Sequence, residues 1–477
     1  MRKTKIIATI GPASNTKEKL RELMETGINA CRLNFSHGTH ESHLPVIENI
    51  KAVREELELP IPLILDTKGS EIRTGNLEQE NIQLTKGQTF IFTTDDIVGN
   101  ADRVSVTYEG FPRDLKIGAR VLVDDGLIEL VVTGIKDNDV ICTVKNDGLL
   151  GSHKGINLPD VKVNLPSLTE KDLDDIKFGI EQGFDYIAAS FIRSAKDVMA
   201  IKRVLKEYGG QTIKIISKIE SREGVKNLNE ILSVTDAIMV ARGDLGVEIP
   251  FEEVPVVQKQ MIHKCIDKGI PVITATQMLE SMVHDPRPTR AEASDVANAI
   301  YDGTDAIMLS GESAKGDYPV QAVQAMVNIA ESIESSIDYT KEFKGKGKAM
   351  LTDITNAICH AVVTSSSDLC SQGIIAVSNS GFTIFKLAKF RPSVPLFAYT
   401  ANPSVARQLN IVWGTTPGLI PFVRTNFADL FNVSVEQCKK DGYIKDGQIV
   451  MLVGGTPVGK TGNTNTIKAH VVGEGFL

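Results

Sequence analysis

No stretch of the 477-residue chain approaches the roughly eighteen consecutive apolar residues that a membrane-spanning helix needs. The start, MRKTKIIATIGPAS, also lacks the apolar segment of a secretory signal, because its short apolar run stops at Gly11-Pro12. The six cysteines, at 31, 142, 265, 359, 370 and 438, are scattered, with neither the paired spacing of a metal site nor a disulfide framework. Each reads as a small buried apolar residue, and the chain as one from a reducing cytoplasm. Positive charge is in deficit. The 60 acidic residues against 52 basic ones leave a net charge of −8, which argues against a general polyanion-binding surface but leaves room for a local basic pocket. There is no short-period repeat.

What is present is a chain long enough for roughly two to four domains, with 42% apolar residues to fill their cores. Short apolar runs alternate with amphipathic helical stretches, the signature of an α/β fold. The runs are Lys5–Ile10, Ala30–Ser36, Leu63–Thr67, Tyr186–Phe191, Ile213–Glu220, Ala237–Asp244, Pro271–Gln277 and Ala306–Glu312. Helical segments such as Thr16–Thr26, Glu41–Leu57, Ala195–Tyr208 and Phe251–Lys268 follow most of them. Strand–helix units in this number predict a (β/α)8 TIM barrel rather than an open doubly wound sheet, because polar residues gather at the C-terminal ends of so many runs.

The rhythm breaks between the third and fourth runs, where TFIFTT, RVSVTY, RVLVDDGLIELVVTGI and DVICTVKN are β-rich and Asp124-Asp125-Gly126 reads as a hairpin turn. An inserted β domain over about 70–165 would overhang the active-site face as a lid. After KEFKGKGKAM, read as a charged linker, alternation resumes with a helix over Asp353–Ser365 and the runs GIIAVSNS, VPLFAYT and QIVMLVGG. The expected division is therefore a catalytic barrel over 1–69 and 166–340, a β lid over 70–165, and a C-terminal α/β domain over 341–477.

Side chains two apart on a strand share a face. Arg32, Asn34 and Ser36 should then point together, as should Lys218 with Glu220, Arg242 with Asp244, Thr274 with Thr276, and Ser310 with Glu312. The third run adds Asp66 and Thr67, followed by Lys68, Glu71 and Arg73. A single charged pair could be structural, but polar ends on so many strands are not what a stability-only barrel needs, since buried ion pairs are often no better than packed hydrophobics. Glu220 and Asp244, without a histidine or cysteine cluster, suit a hard cation such as Mg²⁺. Arg32, Arg73 and Lys218 suit phosphate or an oxyanion. Together they are equipment for phosphoryl transfer, with no Walker loop on the barrel strands and no protein-kinase motif set.

At these residues the chain resembles pyruvate kinase, along essentially its whole length. The likeness is carried by KIIATIGPAS, CRLNFSHGTH, LDTKGSEIRTG, VDDGLI, ISKIESREG, MVARGDLGVEIP, TATQMLESM and PRPTRAEASDVANAIYDGTDAIMLSGES. The resemblance implies a TIM barrel with a β-barrel lid and a C-terminal regulatory α/β domain. It also implies transfer of phosphate from phosphoenolpyruvate to ADP, Mg²⁺ (or Mn²⁺) and K⁺ as cofactors, and a cytoplasmic homotetramer. Because the chain ends at Leu477, a bacterial type without an extra C-terminal domain is expected.

By the same resemblance, Lys218, Arg32 and Thr276 are catalytic, and Arg32, Gly243, Asp244 and Thr276 bind the substrate. Arg73, Lys154, Asn34 and His37 contact the nucleotide. Glu220 and Asp244 hold Mg²⁺, while Asn34, Ser36, Asp66 and Thr67 hold K⁺. Glu71 is the residue type of the potassium-dependent members. Ser378, Asn379, Ser380, Gly381 and Thr383 form a candidate loop for a sugar-phosphate or nucleotide effector, although Phe382 stands where a basic residue is common.

Departures are few. Ser70 replaces the proline usual after DTKG and Ser221-Arg222 replaces a common Asn-containing pair; neither is a matched ligand, so an effect only around the ligands or on the surface is expected, and Ser313 for the usual threonine is conservative. GGTPVGKTG at 454–462 meets the P-loop pattern, but the strand-like TNTIKAHVV follows where a helix should, so it is read as part of the effector pocket. Two alternatives stand beside this reading. Another phosphoenolpyruvate-using barrel is opposed by the lid and the lack of a phosphohistidine motif. A catalytically inactive regulatory homologue would require a lost ligand.

Overall fold

The computed structural model describes residues 1–345, 353–421, 427–457 and 462–475. Eight parallel strands close into a barrel: β1 (Lys5–Thr9), β2 (Ala30–Asn34), β3 (Leu63–Asp66), β4 (Tyr186–Ala189), β5 (Lys214–Ile219), β6 (Ala237–Ala241), β7 (Val272–Ala275) and β8 (Ala306–Leu309). Alternation assigns each side chain to one of two cores. Ile6, Ala8, Leu33 and Leu65 pack outward against the helices, while Ile7, Ala30, Ile64, Ala188, Ile216, Met239, Ile273 and Met308 fill the interior. Arg32, Asp66, Ser190 and Lys218 continue the inward series at the C-terminal ends of their strands.

The sequence runs overshoot the strands. β6 stops at Ala241, where its pairing with β7 ends at Ala275, and residues from Arg242 onward form the short helix Arg242–Glu248. β7 ends at Ala275 because Thr276 and Gln277 turn into the left-handed region, with φ of 67° and 52°. Thr274 and Thr276 therefore do not share a face: Thr274 Oγ1 donates to Thr304 Oγ1 at 3.0 Å, whereas Thr276 turns toward Gly243. Glu312 lies in the helix Gly311–Ala314, where its buried carboxylate accepts from Leu279 N (3.0 Å) and Ser310 N (2.7 Å) and braces that loop.

Between β3 and β4 the chain leaves the barrel to form a seven-stranded sheet with its own core, including Phe90, Phe92, Phe111, Val121 and Leu130. Its edge segments meet through a bridge between Thr74 and Val106, with Gly75 N donating to Ser105 O (2.8 Å) and Thr107 N to Arg73 O (3.0 Å), so the sheet curls toward closure. The Asp124-Asp125-Gly126 hairpin carries three successive positive φ values, 55°, 54° and 83°, and overhangs the helix Arg242–Glu248.

The C-terminal sheet contains β9 (Gly373–Val377), β10 (Leu396–Thr400), β11 (Thr415–Leu419), β12 (Ile449–Gly454) and β13 (Thr466–Val471), in the order β11-β10-β9-β12-β13, with only β13 antiparallel. The start of the segment read as a linker belongs to the helix Tyr339–Gly345; its remainder, and residues 458–461 of the P-loop-like sequence, lie outside the described residues. This domain closes the floor of the barrel. Ile411 packs within the interior cluster, Tyr186 Oη donates to Gln408 O (2.7 Å), Arg407 pairs with Asp185 (2.9 Å), and Lys5 Nζ donates to Thr415 O (2.5 Å).

Candidate active site

Lys218 is the inward residue near the end of β5, with its side chain 11% exposed. Its three ammonium donors reach Asp66 Oδ1 (3.0 Å), Ser190 Oγ (2.7 Å) and Glu220 Oε1 (3.0 Å). Burial alone would lower its pKa, but the carboxylates of Asp66 and Glu220 more than reverse this and hold it above the usual lysine value. Asp66 is 1% exposed at the end of β3 and also accepts from Arg32 Nε at 2.7 Å. Burial works to raise its carboxyl, yet Arg32 and Lys218 bring it below the usual aspartate value. Arg32 Nη1 is fixed by Thr9 Oγ1 (2.9 Å), leaving Nη2 without a hydrogen bond among the described residues.

Glu220 follows β5, also at 1% exposure, with Oε2 accepting from Phe191 N at 2.6 Å. Burial and the nearby Asp244 push its carboxyl above the ordinary value against the pull of Lys218. Asp244, in the first turn of the helix after β6, is raised too, by burial and then by the charges of Asp125, Glu71 and Asp66. Two desolvated carboxylates that repel each other call for a cation. Their all-oxygen donors fit a hard divalent ion. Among the described residues no three His, Cys, Asp or Glu side chains gather into a metal cluster, so such an ion would complete its shell with substrate oxygens and water.

Arg242 turns away from Asp244. It pairs with Asp295 (2.6 Å) and donates through Nη2 to Thr276 O (2.7 Å), holding a β-branched residue at an uncommon positive φ. Thr276 Oγ1 accepts from Gly243 N (2.8 Å) and donates to Ala275 O (2.6 Å). Gly243 and Thr276, which the resemblance assigns to one substrate pocket, are thus in direct contact.

Asn34 and Asp66 are neighbours across β2 and β3, and Ser36 N donates to Asn34 Oδ1 (3.1 Å). Thr67 O accepts from Ser190 Oγ (2.7 Å). Asn34, Ser36, Asp66 and Thr67 also present an all-oxygen side-chain set, the chemistry a monovalent alkali ion takes. Arg73 and Lys154 line a cleft of about 670 Å³ between the β insert and the barrel, which also includes Glu71, Asp125 and Asp244. Each is already paired, Arg73 with Glu71 (2.6 Å) and Lys154 with Asp124 (2.9 Å). Asn34 and His37 do not line this cleft; His37 is exposed on the loop after β2 and accepts from His43 Nε2 through its carbonyl (2.9 Å).

In the C-terminal domain Ser378 and Ser380 are half-buried, Asn379 is exposed, and Gly381 takes φ 80° just ahead of the helix Phe382–Ala388. The buried Thr383 hydroxyl already shares a hydrogen bond with Thr464 (2.7 Å). Sequence reasoning missed Thr9, Ser190 and Arg193. Ser190 had a usable signal, being the polar end of the run YIAASF, like the other polar strand ends.

A family model for the pyruvate kinase barrel domain matches residues 1–323, and one for the pyruvate kinase alpha/beta domain matches residues 356–470. The chain is 48% identical over 475 residues to a pyruvate kinase of Geobacillus stearothermophilus, spanning 99% of this chain and 81% of that protein. It is 48% identical over 476 residues to one from Clostridium acetobutylicum, spanning 99% and 100%. Among solved structures, a pyruvate kinase from Cryptosporidium parvum superposes with a TM-score of 0.93 at 40% identity, covering 99% of this chain and 96% of that one.

Proposed function

Because the chain belongs to the pyruvate kinase family, we propose a role for each residue of its site in the family's reaction. That reaction moves phosphate from phosphoenolpyruvate to ADP, yields pyruvate and ATP, and depends on a metal. The observation that carries the assignment is Lys218, set between the buried Asp66 and Glu220 with Asp244 close enough to raise Glu220.

Phosphoenolpyruvate and ADP bring several negative charges together, and the site must offset their repulsion before anything can react. Arg32 offers Nη2 to the substrate phosphate while Asp66 and Thr9 fix the rest of its guanidinium. Glu220 and Asp244 would hold Mg²⁺ or Mn²⁺, which would supply charge neutralisation for the transferring phosphate and the enolate. Lys218 offers its ammonium to the phosphoryl group in flight and to the enolate oxygen left behind. Gly243, Asp244 and Thr276 form the carboxylate pocket, and Thr276 orients the water through which the enolate is protonated. Asn34, Ser36, Asp66 and Thr67 would hold K⁺, which would supply further positive charge to the site. Arg73 and Lys154 exchange their present partners for ADP phosphates, with Asn34 and His37 as further nucleotide contacts. Closure of the β insert excludes water as a competing phosphoryl acceptor.

The loop Ser378–Thr383 is the proposed effector site, for a sugar phosphate or a nucleotide. A homotetramer is the proposed assembly, a reading to which the outward Phe251, 82% exposed, and the neighbouring Val256 lend support. Six free cysteines and the absence of any helix among the described residues long and apolar enough to cross a membrane accord with a cytoplasmic location. Pyruvate released from phosphoenolpyruvate and ADP, followed through a coupled dehydrogenase, tests the activity. Turnover is expected with Mg²⁺ and K⁺ and its loss on chelation; no pyruvate under full conditions would refute the function.

A further inference from the structure

The turn after β4, residues Ser190–Arg193, touches Lys218, Glu220 and both connections of the β insert. Ser190 Oγ lies 2.7 Å from both Lys218 Nζ and Thr67 O, and Phe191 N donates to Glu220 Oε2 at 2.6 Å. Phe191 does this at φ 53°, an uncommon conformation for a bulky aromatic residue. Arg193 then faces the return connection of the β insert, donating to Val163 O (3.2 Å) and Leu165 O (2.7 Å). The outgoing connection packs on the same turn: a Cβ on Gly69 would lie 2.8 Å from Ser190 Cβ and 2.9 Å from Phe191 Cδ2. Ser70 Oγ donates to Pro166 O (2.6 Å), so the two connections are also stitched to each other. The far side of the turn is held by Asn227 Nδ2 on Arg193 O (2.9 Å), and a Cβ on Gly224 would sit 2.7 Å from Ile192 O. A plain turn would need none of this convergence.

We propose that Ser190–Arg193 is a positioning element coupling the Glu220 carboxylate to the hinge of the lid, with Arg193 as the residue that grips the hinge. This rests on the reading of Glu220 as a metal ligand. When Glu220 moves to meet a cation, the Phe191 amide bonded to it moves as well, and Arg193 carries that shift to the carbonyls at 163 and 165. Arg193 borders the cleft that holds Arg73 and Lys154, but its guanidinium is committed to the carbonyls at 163 and 165; its part is to set how well the lid, with Arg73 and Lys154, is placed over ADP.

The test is hydrogen exchange of the full-length protein with and without Mn²⁺, read in peptides covering 161–169 and 214–219. In the native protein Mn²⁺ is expected to slow exchange in both. In Arg193→Met it should slow exchange only in 214–219, and the KM for ADP should rise roughly tenfold, the worth of about one hydrogen bond to a charged donor, while the KM for phosphoenolpyruvate changes less than about twofold. Arg193→Lys, which keeps the charge and reaches one carbonyl, should fall between them and serves if the methionine variant melts early. Unchanged exchange at 161–169 in native protein that binds Mn²⁺ by paramagnetic resonance, or protection retained in Arg193→Met, overturns the coupling. Native Mn²⁺ affinity in Glu220→Gln would instead overturn the metal-ligand reading beneath it.

Discussion

Replacing Lys218 by methionine keeps much of the side chain's bulk and removes only the charge. Two hydrogen bonds, to Asp66 and Ser190, and the ion pair with Glu220 disappear, and two carboxylates that are each 1% exposed lose their shared counter-ion. Asp66 retains Arg32, but Glu220 keeps only the Phe191 amide. On turnover the expected loss is roughly 10²–10³-fold or more, about 2.7–4 kcal/mol, the scale of removing one preorganised donor from a developing oxyanion. On stability, breaking a buried pair costs about 3–5 kcal/mol when the remaining charge cannot neutralise. Glu220 can neutralise, since its carboxyl is already raised by burial and Asp244 and would rise further without Lys218. A carboxyl with a folded pKa above its unfolded value binds more protons in the folded state, so its destabilising effect grows as pH rises through the folded value. The stability deficit of Lys218→Met should therefore be larger at pH 8 than at pH 6, measured by denaturant unfolding in metal-free buffer. The coupled pyruvate assay supplies the other reading. Near-native turnover in a folded variant would refute the placement of Lys218 at the reacting group, and a deficit independent of pH would refute its partnership with Glu220.

Exchanging K⁺ for tetramethylammonium at constant ionic strength should abolish most activity; an unchanged rate would remove Asn34, Ser36, Asp66 and Thr67 from cation binding. Lys5, buried at the barrel floor, has its ammonium pulled down to about 7 by burial, with Arg2 adding to the shift and Glu334 opposing it. The unfolded chain then binds more protons between pH 7 and about 10.4, so the native melting temperature should climb relative to Lys5→Met across that range, and parallel curves would refute the burial effect. Arg391→Met strips the buried Asp305 of its ion pair (3.0 Å), leaving the carboxylate only backbone donors, and should cost about 3–5 kcal/mol by chemical denaturation. Fructose 1,6-bisphosphate, ribose 5-phosphate, AMP and hexose monophosphates should be screened for a shift in the phosphoenolpyruvate saturation curve. No shift with any of them would argue against the Ser378–Thr383 loop as a site for these effectors.

The barrel was legible because short apolar runs alternate with helical segments along the chain; within each run, counting by two from Arg32, Asp66 or Lys218 then tells which side chains share its face. Counting fails where the strand stops. Asp244 and Thr276 reach the site from a helix turn and a left-handed residue, so alternation paired them with Arg242 and Thr274, which face elsewhere. The curl of the β insert, made by a bridge between Thr74 and Val106, depends on residues distant in sequence and leaves no local periodic mark. Arg193 was illegible for another reason. Its partners are main-chain carbonyls, and any residue supplies a carbonyl, so no composition or spacing betrays them.

Ile411 has a consequence for how the protein is made. It stands within the apolar cluster inside the barrel, yet it is translated about a hundred residues after β8 is complete. During synthesis all eight strands can emerge from the ribosome while their floor still lacks its stopper. Until Ile411 arrives, the interior cluster lacks one of its members at that end. The domain that closes the floor thus serves as the final step in the maturation of the catalytic one. A chain whose synthesis halts between β8 and Ile411 would carry every strand of the barrel and still be an incomplete fold.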